Sequence, residues 1–465
     1  MRQAGRIART DDLFAYMSGM DALQDSLSQL IVDAYRRGDA SILDVCQIAD
    51  FQASVVLSQR ILASGGSSPA AGSKDTSESG GRVEDSAEAE GLRVLLEGGA
   101  PIGILQFFKA GGKVLALTAR AAGADSPPDR DVPDDFSIVL LHWEEPLDEV
   151  VALADEAWNQ LARTSPATRV NPLEGIGAWQ GFAGRLRESV ARVVPVGSHL
   201  VIIPGALSVA PLQDVFARQY SISYAPSLRA AAALHRRRLG MNGGGPQWRP
   251  RGIHDFVIWK ADESPSNIAL FKGAAEGLRE AVQAMGCAYA ASIGTDATRA
   301  SLREALAGSE ALRLSCHGRA DPRSLRFDLL VAADGFLPPG HPTVLAEQLG
   351  ERFLVGWQEL STLEKAPPVV FSAACGSGLA STVAGGERVG LERSLLRAGT
   401  LAYVAPQWPV PIADIQPMMN KIIFAYLANP RLDLSRVVSK VAADSIAEGM
   451  SERVALSVAV HGDWL

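Results

Sequence analysis

Between Asp12 and Ile31 the large apolar side chains fall at Leu13, Met17, Met20, Leu23, Leu27, Leu30 and Ile31. Steps of three and four residues put them on one face of an amphipathic helix. Asp39-Ala40-Ser41 interrupts the pattern, and a second helix is expected over Ile42 to Leu62. The pair reads as a helical hairpin packed on the main body; the sharper reading is a docking module for a partner. From Ser64 to Glu90 the pattern vanishes into Ser, Gly, Glu and Asp. Such a stretch cannot bury enough apolar surface to offset its ordering entropy, so a mobile linker is expected.

From Leu92 the periodicity shortens. Pro101 to Phe108, Val114 to Ala119 and Phe136 to Leu141 are brief apolar runs bounded by Gly, Pro and Asp, which predicts strands. Pro146 to Leu161 and Trp179 to Val193 read as helices, the first opened by a proline that suits a helix start. Beyond Gly197 strands and helices alternate. Strands are expected over His199 to Pro204, Phe256 to Trp259, Ala288 to Ile293, Leu312 to Cys316, Val369 to Ala374 and Leu401 to Ala405. Helices are expected over Lys272 to Met285, Arg299 to Leu306 and Glu387 to Ala398, the last stopped by Gly399. That alternation predicts an α/β fold, with a mostly parallel sheet covered on both faces. The organisation expected is a helical segment over 1–63, a disordered linker over 64–91, strands and helices over 92–196, and the α/β core over 197–465.

Composition narrows the classes. A chain of 465 residues suggests two or three units, and 47% hydrophobic with 21% charged residues is globular. A net charge of −8 argues against a broad nucleic-acid surface, so no nucleic-acid partner is expected. Cys46, Cys287, Cys316 and Cys375 are scattered and form no C-x-x-C pair, which fits a reducing compartment. The start of the chain has no apolar signal core, and the longest apolar stretch, Leu200 to Leu212, is broken by Pro204, Gly205 and Pro211. A cytoplasmic protein with no membrane partner is the expectation.

Two turns stand out by position. One predicted strand ends at His317-Gly318, another at Cys375-Gly376-Ser377-Gly378. Ligands of open parallel sheets bind beyond the carboxyl ends of the strands. If the two strands are neighbours, a thiol and an imidazole share that crevice, which is what a cysteine nucleophile and its base require. Gly318 would let its N–H approach a substrate unobstructed, and with the N–H of Cys375 it could form an oxyanion hole. Against this, a lone cysteine at a strand end is usually a buried small hydrophobe, a reading that suits Cys316 and Cys287. The pair at 317 and 375 resists it: each ends an apolar strand, each precedes Gly, and the 58-residue separation approximates the caspase spacing. His461 reads as structural; His142, His199, His235, His254 and His341 have no evident partner. Arg236-Arg237-Arg238, shortly before Gly243-Gly244-Gly245, reads as a solvated loop, with a self-cleavage loop as the alternative. There is no H-E-x-x-H, no G-x-x-x-x-G-K-[ST] and no G-x-S-x-G, so zinc hydrolysis, P-loop chemistry and an α/β-hydrolase are unsupported.

Leu312-Arg313-Leu314-Ser315-Cys316-His317-Gly318 resembles the histidine block of CHAT domains, a caspase-like family that also resembles separase. Val369 through Gly378 resembles the family's cysteine block. Ile202 to Leu212, Ser223 to Ser227, Gly390 to Gly399, Gln407-Trp408-Pro409-Val410 and His461-Gly462-Asp463-Trp464 resemble further blocks in order, and Ala100 to Ala119 resembles strands that often precede the domain. The resemblance covers roughly Leu92 to Leu465. It implies a caspase-like sheet, preceded by a smaller β-rich region and the helical segment. It implies cysteine endopeptidase activity on a protein substrate, with His317 and Cys375 as the catalytic dyad and no metal or organic cofactor. Bacterial relatives act in signalled cell death and antiphage defence, some by cleaving gasdermin-like pore formers, and a regulatory protein partner is conceivable. Asp414 follows the segment where related peptidases often build the primary specificity pocket, and would favour Lys or Arg there. Its alternative role is to cap a helix from Ile415. Three departures stand: Gly376 replaces the usual acidic residue, Pro338 to Arg352 looks inserted, and no 34-residue TPR period precedes the domain. The rival expectation is a catalytically silent scaffold that binds partners.

Overall fold

The computed structural model describes residues 10–52, 87–96, 102–121, 136–164, 171–242, 248–260, 263–322, 324–331, 353–382, 388–430 and 432–463. The expected linker lies outside them up to residue 86, and residues 87–91 open the helix Ala87–Leu96. The expected insertion at 338–352 and residues 53–62 of the second helix also lie outside them.

Sixteen strands are present among the described residues, eleven of them in one sheet of order β3-β2-β1-β4-β5-β16-β15-β12-β8-β6-β7. At its centre are β4 (His199–Ile203), β5 (Ser221–Tyr224), β8 (Ala311–Ser315), β12 (Val369–Ser372) and β15 (Ala402–Pro406), every residue of them buried. Helices cover both faces of these strands, which is why they read as unbroken apolar runs instead of alternating ones. β12 runs parallel to both β8 and β15; β6 (Gly252–Val257) is parallel to β8 and to the edge strand β7 (Ala288–Ile293). The last strand, β16 (Val458–Gly462), enters antiparallel to β15 and parallel to β5. The fold class is the α/β architecture expected. The meander β1 (Ile102–Ala110), β2 (Lys113–Ala121), β3 (Phe136–Pro146) continues the same sheet, with β1 parallel to β4 from Ile102↔His199 onward. The sequence pattern gave no sign of two short sheets, β9 (Gly318–Asp321) with β10 (Arg326–Leu330) and β11 (Leu354–Gly356), and β13 (Ala380–Thr382) with β14 (Arg388–Gly390).

Two readings are corrected. The first helix, α1 (Thr10–Arg37), does not dock through Leu23, Leu27 and Leu30. Gln24, Ser28 and Val32 are buried, with Ile31 and Tyr35 packed beside them, whereas Leu23, Leu27 and Leu30 are 62%, 42% and 66% exposed. Polar pairing decides the orientation: Lys109 of β1 bonds Asp21 at 2.8 Å, and Gln52, just after α2 (Ile42–Phe51), bonds Ser28 Oγ at 2.6 Å and the Lys109 backbone. The second concerns Arg236-Arg237-Arg238, which is not a loop but part of the helix Leu228–Asn242. There Arg238 and His235 are buried and bond Asp463, at 2.5 and 3.1 Å, tying this helix to the end of β16.

One charged pair lies inside the sheet. Arg313 of β8 is fully buried and grips Asp255 of β6 with two parallel bonds of 2.8 and 2.7 Å, with Tyr289 Oη donating to the same carboxylate. Breaking one side of such a pair strands a buried charge, so it fixes the alignment of the two strands next to the candidate site.

Candidate functional site

β8 and β12 are neighbours, in register Leu314↔Ser372, and the Ala373 N–H donates to Leu314 O at 2.8 Å. Three residues further on, the same register sets His317 beside Cys375, at the carboxyl ends of strands roughly 5 Å apart. Alternation also aligns their side chains. On β8, Arg313 and Ser315 face the helix Ile412–Ala428 through Asn420 and Gln416, and His317 continues that set. On β12, Phe371 and Ala373 face the same layer, and Cys375 packs against it. Cys316 faces the other layer, buried with Leu314 and Ala374.

His317 is held from three sides. Its Nε2 lies 2.6 Å from Glu263 Oε2, its ring meets Phe271 edge-on with centroids 5.7 Å apart, and its carbonyl accepts the Leu330 N–H at 2.9 Å. Glu263 stands just before Ser264, the cap of helix Pro265–Ala284, and its other oxygen accepts from Asn267 at 2.6 Å. Burial alone would raise the Glu263 carboxyl; hydrogen bonds from Asn267 and His317 and the charge of Lys260 outweigh it and hold the group below its ordinary value.

The Cys375 thiol is half-buried and donates to the Val410 carbonyl at 3.4 Å. Burial pushes it above its ordinary value, while backbone hydrogen bonding at Val410 and Cys375 and, to a smaller extent, the charges of Lys260 and Arg453 pull the other way. Cys316, wholly enclosed, is pushed up to about 12 by burial. A thiol that is neutral at rest needs a base before it can attack.

The turn after Cys375 is built for close approach. Gly376 has φ +65°, and a Cβ there would stand 2.8 Å from Ala320 Cβ, so no acidic side chain fits at this position. Ser377 Oγ bonds Ser372 Oγ at 2.8 Å, Tyr403 Oη donates to Ser377 O, and Gly378 N–H donates to Pro406 O. Gly318 passes so near that a Cβ on it would lie 2.5 Å from Cys375 O. Because Leu330 bonds His317, the next pair in the β9–β10 ladder, Gly318 and Leu329, is a non-bonded one, and the Gly318 N–H turns away from β10.

Asp414 lies four residues beyond Val410, partly exposed, in the first turn of helix Ile412–Ala428. The helix starts at Ile412 with Pro411 in the cap position, so Asp414 is not its cap. Arg453, which the sequence reading passed over, is buried and donates to Leu161 O, Thr164 O and Pro409 O at 2.8, 3.0 and 3.2 Å; its own carbonyl accepts from Trp408 Nε1. It fastens the segment whose Val410 carbonyl meets the thiol. Glu263 was missed as well. Nothing in sequence links it to His317, 54 residues away.

The other histidines serve packing. His199 is buried among the Ser221, Ser223 and Ser435 hydroxyls, and His254 bonds Ser292. His461 is enclosed between Tyr224 and Tyr403, 3.3 Å from Glu392, while His142 is exposed and His341 lies outside the described residues. Among the described residues no group of three or more His, Cys, Asp or Glu side chains could hold a metal ion, and no helix is long and apolar enough to cross a membrane.

No curated protein matches the chain. The structure is similar to separase in the separase–securin complex of Saccharomyces cerevisiae, with a TM-score of 0.50 at 10% identity over 80% of this chain. The match spans only 30% of that separase chain. Gingipain R, an Arg-specific cysteine proteinase of Porphyromonas gingivalis, aligns over 68% of this chain and 74% of its own at 12% identity, with a TM-score of 0.39. The separase likeness concerns the fold. The family model described as CHAT domain matches residues 184–441, more than half of the chain, and takes in both strand ends that carry His317 and Cys375. The chain belongs to the CHAT domain family.

Proposed function

We propose that the protein is a cysteine endopeptidase in which Cys375 is the nucleophile and His317 its general base and acid. The observation that carries this reading is the juxtaposition of His317 and Cys375 at adjacent strand ends, with His317 tethered by Glu263. His317 takes the thiol proton, and the sulfur attacks the scissile carbonyl. The N–H groups of Gly318 and Cys375 receive the oxyanion. His317 returns the proton to the leaving amine as the thioester forms, and then deprotonates the water that hydrolyses it. Glu263 is the positioning residue that orients the imidazole and balances its charge. Asp414 supplies a carboxylate near the substrate's cleavage position. A target in bacterial defence or programmed cell death, gasdermin-like or otherwise, in the cytoplasm, rests on the family resemblance.

With a substrate found by peptide-library screening, Cys375→Ala should abolish cleavage and His317→Ala should cost nearly as much, because the two act as a unit. Cys316→Ala, on the opposite layer, should spare most of the activity. Circular dichroism checks folding. Activity retained in Cys375→Ala, or lost equally in Cys316→Ala with the fold intact, means the nucleophile is misassigned.

A silent scaffold is the second reading. It is favoured by a thiol that burial holds neutral and that donates to Val410. Covalent labelling of Cys375 by a peptidyl electrophile separates the two: a scaffold stays unlabelled while binding its partner.

A further inference from the structure

Over residues 21–37, helix α1 presents to solvent the leucines of the stripe that its sequence makes apolar. Among its residues from 21 on, Ala22, Leu23, Ser26, Leu27 and Leu30 are exposed, and the three leucines keep roughly half or more of their surface in water. The nearby carboxylates point elsewhere: Asp21 bonds Lys109, Asp25 accepts the Gly112 N–H, and Asp33 accepts from Gln29. An ordinary surface helix shows the reverse arrangement, charges outward and leucines inward.

The spacing is that of a helix–helix seam. Leu13, Tyr16, Met20, Leu23, Leu27, Leu30 and Ala34 alternate steps of three and four, a and d positions of successive heptads. Flanking positions between them carry Gly19, Gln24, Ser26, Ile31 and Asp33, the last already accepting from Gln29, so a single charge per copy borders the central leucines. The helix ends carry opposite charge, Asp11 and Asp12 in the first turn and Arg36 and Arg37 in the last, the two arginines also meeting Glu144 and Asp39 in exposed ion pairs that a partner's carboxylates would share or replace. Parallel pairing would bring Arg against Arg and Asp against Asp. Antiparallel pairing brings each arginine end to an acidic start and also opposes the two helix dipoles.

We propose that α1 is the self-association surface of this protein: it pairs antiparallel with α1 of a second copy about a two-fold axis. Heptad arithmetic sets the position of Leu23 opposite Leu27 of the partner copy, and that of Leu30 opposite Met20 of the partner copy. The contact is isologous and closes at a dimer. It lies on the helical segment and is independent of the chemistry proposed above.

The test is sedimentation velocity of the full chain over a concentration series. Wild type should show a reversible monomer–dimer equilibrium. L23D/L27D, at solvent-facing positions, should raise the dimer dissociation constant at least tenfold with unchanged circular dichroism. R36E/R37E should weaken self-association, and mixing it with D11K/D12K should restore a dimer. A wild type that stays monomeric throughout would assign the stripe to a different protein and overturn the proposal. Dimers indifferent to L23D/L27D, or a charge swap without effect, would overturn the surface or its antiparallel sense.

Discussion

Glu263 meets His317 at 2.6 Å and is tied from behind by Asn267. Its proposed influence on catalysis passes through the imidazole alone. Glu263→Gln keeps the shape and removes the charge, so steady-state kinetics should show kcat down about tenfold or more with KM nearly unchanged. A rise in KM at constant kcat would place Glu263 against the substrate instead. Asp414 is expected to behave in the opposite way, as a residue met by substrate and not by the dyad. Asp414→Ala should erase a preference for Lys or Arg in a library cleavage profile while leaving the rate of Cys375 alkylation unaltered. An unchanged profile would exclude the carboxylate from the pocket. Sequence made His317, Cys375 and Gly318 conspicuous as turn residues after apolar strands, and Asp414 was singled out only by the family resemblance. Glu263 and Arg453 were hidden because their roles depend on partners 44 residues away or more.

At the scale of elements, the segment Gln407–Val410 leaves β15, its first N–H still donating to Ser457 O at 2.9 Å, and crosses in front of the thiol. Arg453, buried in the short helix Glu452–Ala455, gives it a fixed course by binding Pro409 O together with two carbonyls at the end of helix Leu147–Arg163. Arg453→Met fills the volume but leaves those carbonyls without their donor. Buried unsatisfied acceptors cost about 1–3 kcal/mol each, so denaturant unfolding should report a loss of about 3 kcal/mol or more. Cys375 labelling should slow in the folded variant as Val410 shifts. The helix α1 teaches a related lesson. Its period was legible and its type correct, yet the face that docks carries Gln24 and Ser28, because hydrogen bonds to Gln52 and an ion pair to Lys109 were available there. Periodicity reports an apolar face; it does not report which surface meets it.

The whole molecule keeps two histidines away from water. Burial pushes both His199 and His461 down to about 4. An unfolded histidine titrates near 6.5, so between about pH 6.5 and 4 the unfolded chain binds protons that the native chain refuses. Their contribution to stability is therefore present above about pH 6.5 and is lost as the pH falls, roughly 3 kcal/mol for each by pH 4. Glu392 and Asp463 act in the same direction. Burial opposes their ionisation, but Arg388 and His461 for the first, and His235 and Arg238 for the second, hold both carboxyls below the ordinary range. The thermal midpoint should decline steadily on acidification below pH 6.5, and His199→Asn should flatten that decline. A midpoint independent of pH between 6.5 and 4.5 would contradict the burial of both rings.

What the sequence determined by itself was the place of the strands β4, β7, β8, β12 and β15, the mostly parallel character of the sheet, and the two turns carrying His317 and Cys375. All are local properties: runs of apolar residues long enough for a buried strand, and glycines where the chain must turn. Tertiary structure decided the rest. Whether β8 and β12 are neighbours depends on crossovers that no local pattern encodes, and only their adjacency sets the strand ends at His317 and Cys375 side by side. The same holds for Arg238 bonding Asp463 across 225 residues, which buries the last residue of an apparently solvated basic run while Arg236 stays exposed. Such pairs form because a buried charge must find its counterpart wherever the fold supplies one, and sequence distance does not enter that requirement.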